Sequence, residues 1–191
     1  MKEKEYRADK IFDKIDFTKE HLAKGEYEKC RFTNCDFSNS DISEIQFIDC
    51  EFNNCNLSLA KINGTTFNNI KFLNCKMSGL RFDECNQSGL SFSFNNCFLD
   101  HSTFYKTKIK STVFKNSQLV ETDFSQCNLT GAVFENCNLE RTVFDNTIIE
   151  RADFRTAFNY TIDPERNKIR KARFSVQGII GLLERYDIVV E

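Results

Sequence analysis

Apolar residues recur at every fifth position of this chain. Counting from Phe12 gives Phe12, Phe17, Leu22, Tyr27, Phe32, Phe37, Ile42 and Phe47, then Phe52, Leu57, Ile62, Phe67, Phe72, Met77, Phe82 and Gln87. A second register runs from Phe94 through Leu99, Phe104, Ile109, Phe114, Leu119, Phe124, Leu129, Phe134, Leu139, Phe144 and Ile149 to Phe154. Of these 29 positions only Gln87 is not apolar, and together they hold 16 of the 20 phenylalanines. Two residues before each of them, 22 of 29 positions are Cys, Ala, Ser, Thr or Gly. The remaining positions are mostly Asn, Asp, Glu, Lys, Ser and Thr. A period of five matches neither a helix at 3.6 nor a plain strand at 2. It matches a chain that turns a corner every five residues, with one large and one small side chain pointing inward on each side. Four sides close a coil of 20 residues, and successive coils stack at the β-spacing of about 4.8 Å. In such a solenoid each coil buries its apolar layer only against its neighbours.

The step from Gln87 to Phe94 is seven residues and implies a two-residue insertion near 89–93. Two columns check this independently. Asn34, Asn54, Asn74, Asn96, Asn116 and Asn136 are spaced 20, 20, 22, 20 and 20 apart, and Cys35, Cys55, Cys75, Cys97, Ser117 and Cys137 repeat the same spacings. The asparagines read as a corner ladder whose amides bond to their copies above and below. After Phe154 the frame falters at Asn159 and Pro164 and resumes at Ile169 and Phe174, so 155–174 reads as a distorted last coil with a turn at Asp163-Pro164. Ser175 is a suitable N-cap for a short helix. Val176, Ile179, Ile180 and Leu183 share one face of it, which is expected to cover the last coil. Asp187 to Val190 reads as a terminal strand.

This repeat resembles the pentapeptide-repeat family over residues 12–154. The resemblance implies an all-β solenoid, a right-handed quadrilateral β-helix. The expectation is about eight coils in a single domain over 1–191, ending in a short C-terminal helix and strand. The tail, with Asn159-Tyr160, Lys171 to Ser175 and Leu182-Leu183 leading to Asp187-Ile188, is similar to the albicidin-resistance and Qnr branch of that family. That similarity implies a bacterial protein joined tail to tail as a homodimer. It also implies a binding protein that mimics duplex DNA, engages DNA gyrase or topoisomerase IV and protects it from inhibitors. Leu182, Tyr186, Ile188, Val189 and Val190 are the candidate dimer interface.

Composition sharpens this picture without naming a partner. Charges nearly balance, with 26 Lys+Arg against 28 Asp+Glu. Met1 to Lys10 is charged, so no signal peptide is expected. Gly178 to Leu183 is far too short to span a bilayer. These features point to a cytoplasmic protein. All nine cysteines occupy the small inward position, and an odd number argues against a disulfide framework. They read as small buried groups. His21 and His101 lie in different coils with no outward cysteine beside them, so no metal is expected. No nucleophile–base order or phosphate-binding loop is present, and flat solenoid sides offer no cleft, so neither an enzyme nor a small-molecule substrate is expected.

Charge is uneven along the chain. Residues 26–60 and 121–153 each hold seven acids and two bases. Asp36, Asp41, Glu44, Asp83, Glu84, Asp123 and Asp145 are the candidate partner-binding surface, imitating a phosphate backbone. Lys106, Lys108, Lys110 and Lys115 form one basic patch. Arg166, Lys168, Arg170, Lys171 and Arg173 form another, although direct contact with nucleic acid is not expected. The competing reading is a general cytosolic protein-interaction scaffold with an unrelated partner, since fold alone does not fix function.

Overall fold

The computed structural model describes residues 5–189. The chain winds as a parallel β-solenoid. Its strands in chain order are β1 (Glu5–Ala8), β2 (Ile11–Asp13), β3 (Gly25–Glu28), β4 (Arg31–Thr33), β5 (Gln46–Ile48), β6 (Glu51–Asn53), β7 (Thr66–Asn68), β8 (Ile70–Leu73), β9 (Phe92–Asn95), β10 (Val113–Lys115) and β11 (Val133–Glu135). They form two parallel sheets on two sides of the coil, β1-β3-β5-β7 and β2-β4-β6-β8-β9-β10-β11. The other two sides are held by isolated parallel bridges at the same 20-residue offset, such as Asp16↔Asp36 and Thr103↔Asp123. Face A carries Phe12 to Phe174, and faces B, C and D follow in chain order, centred on Phe37, Phe82 and Phe47.

The large inward positions form the core. On face A, Phe12, Phe32, Phe52, Phe72, Phe94, Phe114, Phe134, Phe154 and Phe174 lie one above another as stacked rings. Several of these rings also meet an aromatic of another face edge-on, as Phe114 meets Phe104 of the opposite face C at 89°. Stacked and edge-to-face contacts are the two geometries that the ring quadrupole favours. The small inward positions do more than fill space. Cys50 Sγ–H donates to Tyr27 O at 3.1 Å, Thr65 Oγ1–H to Ile42 O at 2.8 Å and Thr147 Oγ1–H to Phe124 O at 2.8 Å. A thiol or hydroxyl is small enough for the interior and satisfies a carbonyl of the preceding coil.

The corners rest on left-handed backbone. Twenty-five non-glycine residues among those described have positive φ, most of them two positions after a large inward residue. Asparagine supplies ten of them, because it tolerates this conformation better than other side chains do. The expected asparagine column adds amide links. Asn54 Nδ2 donates to Asn34 Oδ1 at 2.5 Å, Asn96 to Asn74 at 2.8 Å and Asn136 to Asn116 at 3.2 Å.

The insertion lies between Asn86 and Phe92. Asn86 N donates to Thr65 O and its side chain to Thr66 Oγ1, 20 residues back in register, whereas Ile70 pairs with Phe92, 22 residues on. Gln87, the one polar member of the large series, turns out to solvent and folds its amide onto Phe82 O and Cys85 O. Leu90 and Phe92 are buried instead. Gly89 makes the turn at φ +73°. The bulge ends the four-stranded sheet at β7, while the seven-stranded sheet of face A passes through unbroken.

The C-terminal element departs from expectation in its orientation. It runs from a 3₁₀ turn at Gln177–Ile179 through α1 (Ile180–Leu183) to a 3₁₀ turn at Glu184–Tyr186. Ser175 caps it, accepting from Gly178 N at 2.9 Å. Of the expected stripe, Val176, Ile179 and Ile180 face solvent rather than the coil, while Leu183 is half-buried. The physical reason is the pair of glycines. A Cβ on Gly178 would sit 2.1 Å from Tyr160 Oη, and one on Gly181 2.1 Å from Tyr160 O. The backbone itself therefore lies on Tyr160, and Ile162 N donates to Gly181 O at 2.9 Å. Leu182 follows the glycines inward and packs against the core. No strand forms over 187–189, where Asp187 takes φ 49°.

Phe114 is fully buried between Phe94 at 5.1 Å and Phe134 at 5.0 Å. Phe114→Ala is expected to destabilise the protein by about 3–5 kcal/mol in chemical denaturation. An unchanged midpoint would contradict the stacked column.

Candidate functional site: the charged faces and the C-terminal cap

The thiols offer no exposed nucleophile. All nine cysteines are buried and free. Burial pushes Cys50, Cys127 and Cys137 up to about 12, so they stay protonated at neutral pH. Among the described residues no three His, Cys, Asp or Glu side chains converge as metal ligands. The chain's exposed chemistry is its charge.

The coil gathers most of the candidate carboxylates onto face C. Asp41 and Asp123 occupy the position before its large inward residue, Asp83 and Asp145 the position after it, and Glu44 and Glu84 its corner. Asp36 stands on face B, in the ladder Asp16–Asp36–Asn56. Four of the seven meet a base. Glu44 pairs with Lys24 at 2.9 Å, Asp83 and Glu84 with Arg81 at 3.0 and 2.9 Å, and Asp145 with Arg166. Asp36, Asp41 and Asp123 each accept a backbone N–H two residues on, from Ser38, Ser43 and Ser125. Hydrogen bonds from Ser43 hold the Asp41 carboxyl below its usual range. Face C is thus a mixed surface with acidic runs rather than a continuous anionic strip. The missed pairing had a sequence signal, since many ion pairs of the solenoid join residues 20 apart: Arg31–Glu51, Lys115–Glu135, Glu121–Arg141 and Asp153–Arg173.

The candidate dimer residues are placed unevenly. Leu182, expected to be exposed, is half-buried against the last coil for the reason given above. Tyr186 is 44% exposed and donates from its hydroxyl to Glu165 Oε1 at 3.0 Å. Ile188 and Val189 are exposed, and Val190 lies outside the described residues. Arg185 ties the element to Asp163 and to Glu165. The outward stripe Val176, Ile179 and Ile180 adds exposed apolar surface that the sequence assigned to the interior.

A family model described as "Pentapeptide repeat region" matches residues 26–93 and 90–158. The chain belongs to the pentapeptide-repeat family. This pentapeptide-repeat chain is also similar in fold to solved structures of QnrB1, described as a plasmid-mediated fluoroquinolone resistance protein. One trypsin-treated QnrB1 variant aligns at TM-score 0.63 and 16% identity, covering 98% of this chain and 100% of that one. A second aligns at TM-score 0.58 and 16% identity, covering 97% and 99%. At this identity the likeness speaks for the fold. No curated protein sequence matches. No helix among the described residues is long and apolar enough to cross a membrane.

The buried thiols make alkaline stability a test of the inward assignment. A cysteine held near 12 when folded and near 8.5 when unfolded contributes stability fully below about pH 8.5. That contribution is lost as pH rises toward 12. The melting temperature is expected to fall steadily above pH 9, and less steeply in a variant carrying Cys50→Ala, Cys127→Ala and Cys137→Ala. Equal slopes would contradict the burial of these thiols.

Proposed function

We propose that this pentapeptide-repeat protein is a non-enzymatic cytoplasmic binding protein, without cofactor or small-molecule substrate, that docks on a type II topoisomerase as a mimic of duplex DNA. In this reading gyrase or topoisomerase IV is the partner and protection from quinolone- or albicidin-like inhibitors the outcome. The observation that carries it is the alignment of Asp41, Glu44, Asp83, Glu84, Asp123 and Asp145 along one straight face of a rod whose fold is like that of QnrB1. Charges in regular file on a rigid face can steer and register a partner that already binds a polyanion. The homodimer belongs to the same reading. Ile188 and Val189, beside Tyr186, leave apolar surface at the C-terminal end, and Val176, Ile179 and Ile180 extend it. Two-fold pairing would cover this surface with a copy of itself.

A second reading has its own support. Three bases, Lys24, Arg81 and Arg166, engage four of the seven carboxylates, Arg81 being shared by Asp83 and Glu84. Such a balanced face suits a general interaction scaffold with an unrelated partner.

Surface plasmon resonance with purified gyrase distinguishes the two. Mimicry predicts binding that a linear duplex competes away, and a loss of about tenfold in affinity for Asp41→Asn combined with Asp123→Asn. Absence of binding at micromolar concentrations would remove the gyrase reading. Light scattering of the full chain tests the dimer, with Ile188→Asp and Val189→Asp expected to convert it to a monomer. A monomeric parent protein would contradict it.

A further inference from the structure

The two basic patches are about sixty residues apart in the chain, and the coil brings them onto one face. Bridges run Lys108↔Asn128, Asn128↔Ile148 and Ile148↔Lys168, which places Lys108 and Lys168 in a single column of face D. Lys110 and Arg170 occupy the neighbouring outward column, with Thr130 and Glu150 between them. At the adjoining corner, Gly131, Arg151 and Lys171 rise in line with left-handed φ values of 72°, 59° and 60°. Lys108, Lys110, Arg151, Lys168, Arg170 and Lys171 are all exposed, and none makes an ion pair among the described residues. Lys106 and Arg166 stand at the other edge of the face, Lys106 against the Tyr105 ring and Arg166 paired with Asp145. Glu150 is the one acid among these outward positions from Lys108 to Lys171. The unpaired bases contrast with face C, where most candidate acids have a partner.

We infer that this half of face D is a binding surface for double-stranded nucleic acid, separate from the acidic face and independent of the gyrase reading. The geometry is two cationic rows separated by two coils whose outward charges on this face are one acid and one base, Glu150 and Arg151. Lys108 and Lys110 form one row, Lys168 and Arg170 the other, three coils further on. Three coil steps separate them by about 14 Å. Between them lie Asn128, Thr130, Gly131 and Ile148, half-buried and without charge, with half-buried Glu150 and exposed Arg151 adding one charge of each sign. A duplex presents two phosphate chains on either side of a groove, about 12 Å wide on the major-groove side. Each row of bases can meet one backbone while the flat floor spans the groove. A single strand, or an acidic segment of a protein, would engage only one row at a time. Apart from Arg151 at the corner, the residues between the rows are half-buried, so the surface recognises phosphates rather than base edges.

Fluorescence anisotropy of a labelled 20-base-pair duplex with the full chain tests this. Binding is expected at low salt, weakening as salt rises with a logarithmic slope on the order of −0.9 for each phosphate neutralised. Reversing either row, Lys108→Glu with Lys110→Glu or Lys168→Glu with Arg170→Glu, is expected to weaken binding by about tenfold or more. Glu150→Lys is expected to strengthen it, a gain that misfolding cannot mimic. No binding at low salt would overturn the proposal, as would row reversals that leave affinity unchanged. Equal affinity for a single strand of the same length, or for polyglutamate of the same charge, would overturn the two-row account.

Discussion

Nine phenylalanine rings, from Phe12 to Phe174, lie in one column along face A, with centroid separations between 4.7 and 5.4 Å. That spacing is close to the distance between hydrogen-bonded parallel strands. Backbone bonding and ring stacking are therefore satisfied by the same repeat, and neither must yield to the other. Every other feature follows from keeping the rings in line. The corners must turn after the same number of residues, which places positive φ at one position of the repeat. The second inward residue is mostly small, because the ring fills much of the interior, although Ile45, Ile70 and Leu80 are larger and equally buried. A hydroxyl or thiol at this position then meets the carbonyl that the preceding coil leaves below it.

The bulge shows how strong the column is. Two extra residues would shift every later side chain out of line, yet β8 and β9 pair with Phe72 opposite Phe94. The excess is confined to Gln87–Ser91 on face D, where the sheet ends, and face A continues without a break. Gln87, the one polar member of the large series, falls where the coil is interrupted and turns to solvent. The same rigidity brings distant residues to fixed places. Carboxylates from four coils line face C, and bases from coils sixty residues apart meet on face D.

Much of this was legible in the sequence, because a solenoid repeats its signal in every coil. The five-residue period gave the core, and two independent ladders located the insertion. Features carried by a single residue were less legible. The period assigns Gln87 inward, and only the buried Leu90 and Phe92 show why it can leave. Helical periodicity assigns Val176, Ile179, Ile180 and Leu183 to the interior, but the glycines at 178 and 181 let the backbone itself contact Tyr160 and turn the first three outward, leaving Leu183 half-buried. A count of acids along the chain suggests anionic belts, whereas pairing across coils, as in Lys24 with Glu44, acts at right angles to the sequence. The candidate sites were legible as residues but not as surfaces, since whether a charge is paired depends on its neighbour one coil away.

The central claim is that the stacked column makes coils below and above the bulge one structural unit. Native-state hydrogen exchange by mass spectrometry tests it directly. The account predicts that amides in β4 to β8 and in β9 to β11 share the same slowest exchange and lose protection together under mild denaturant, with faster exchange confined to the bulge and the C-terminal helix. Separate loss of protection on the two sides of the bulge would contradict it.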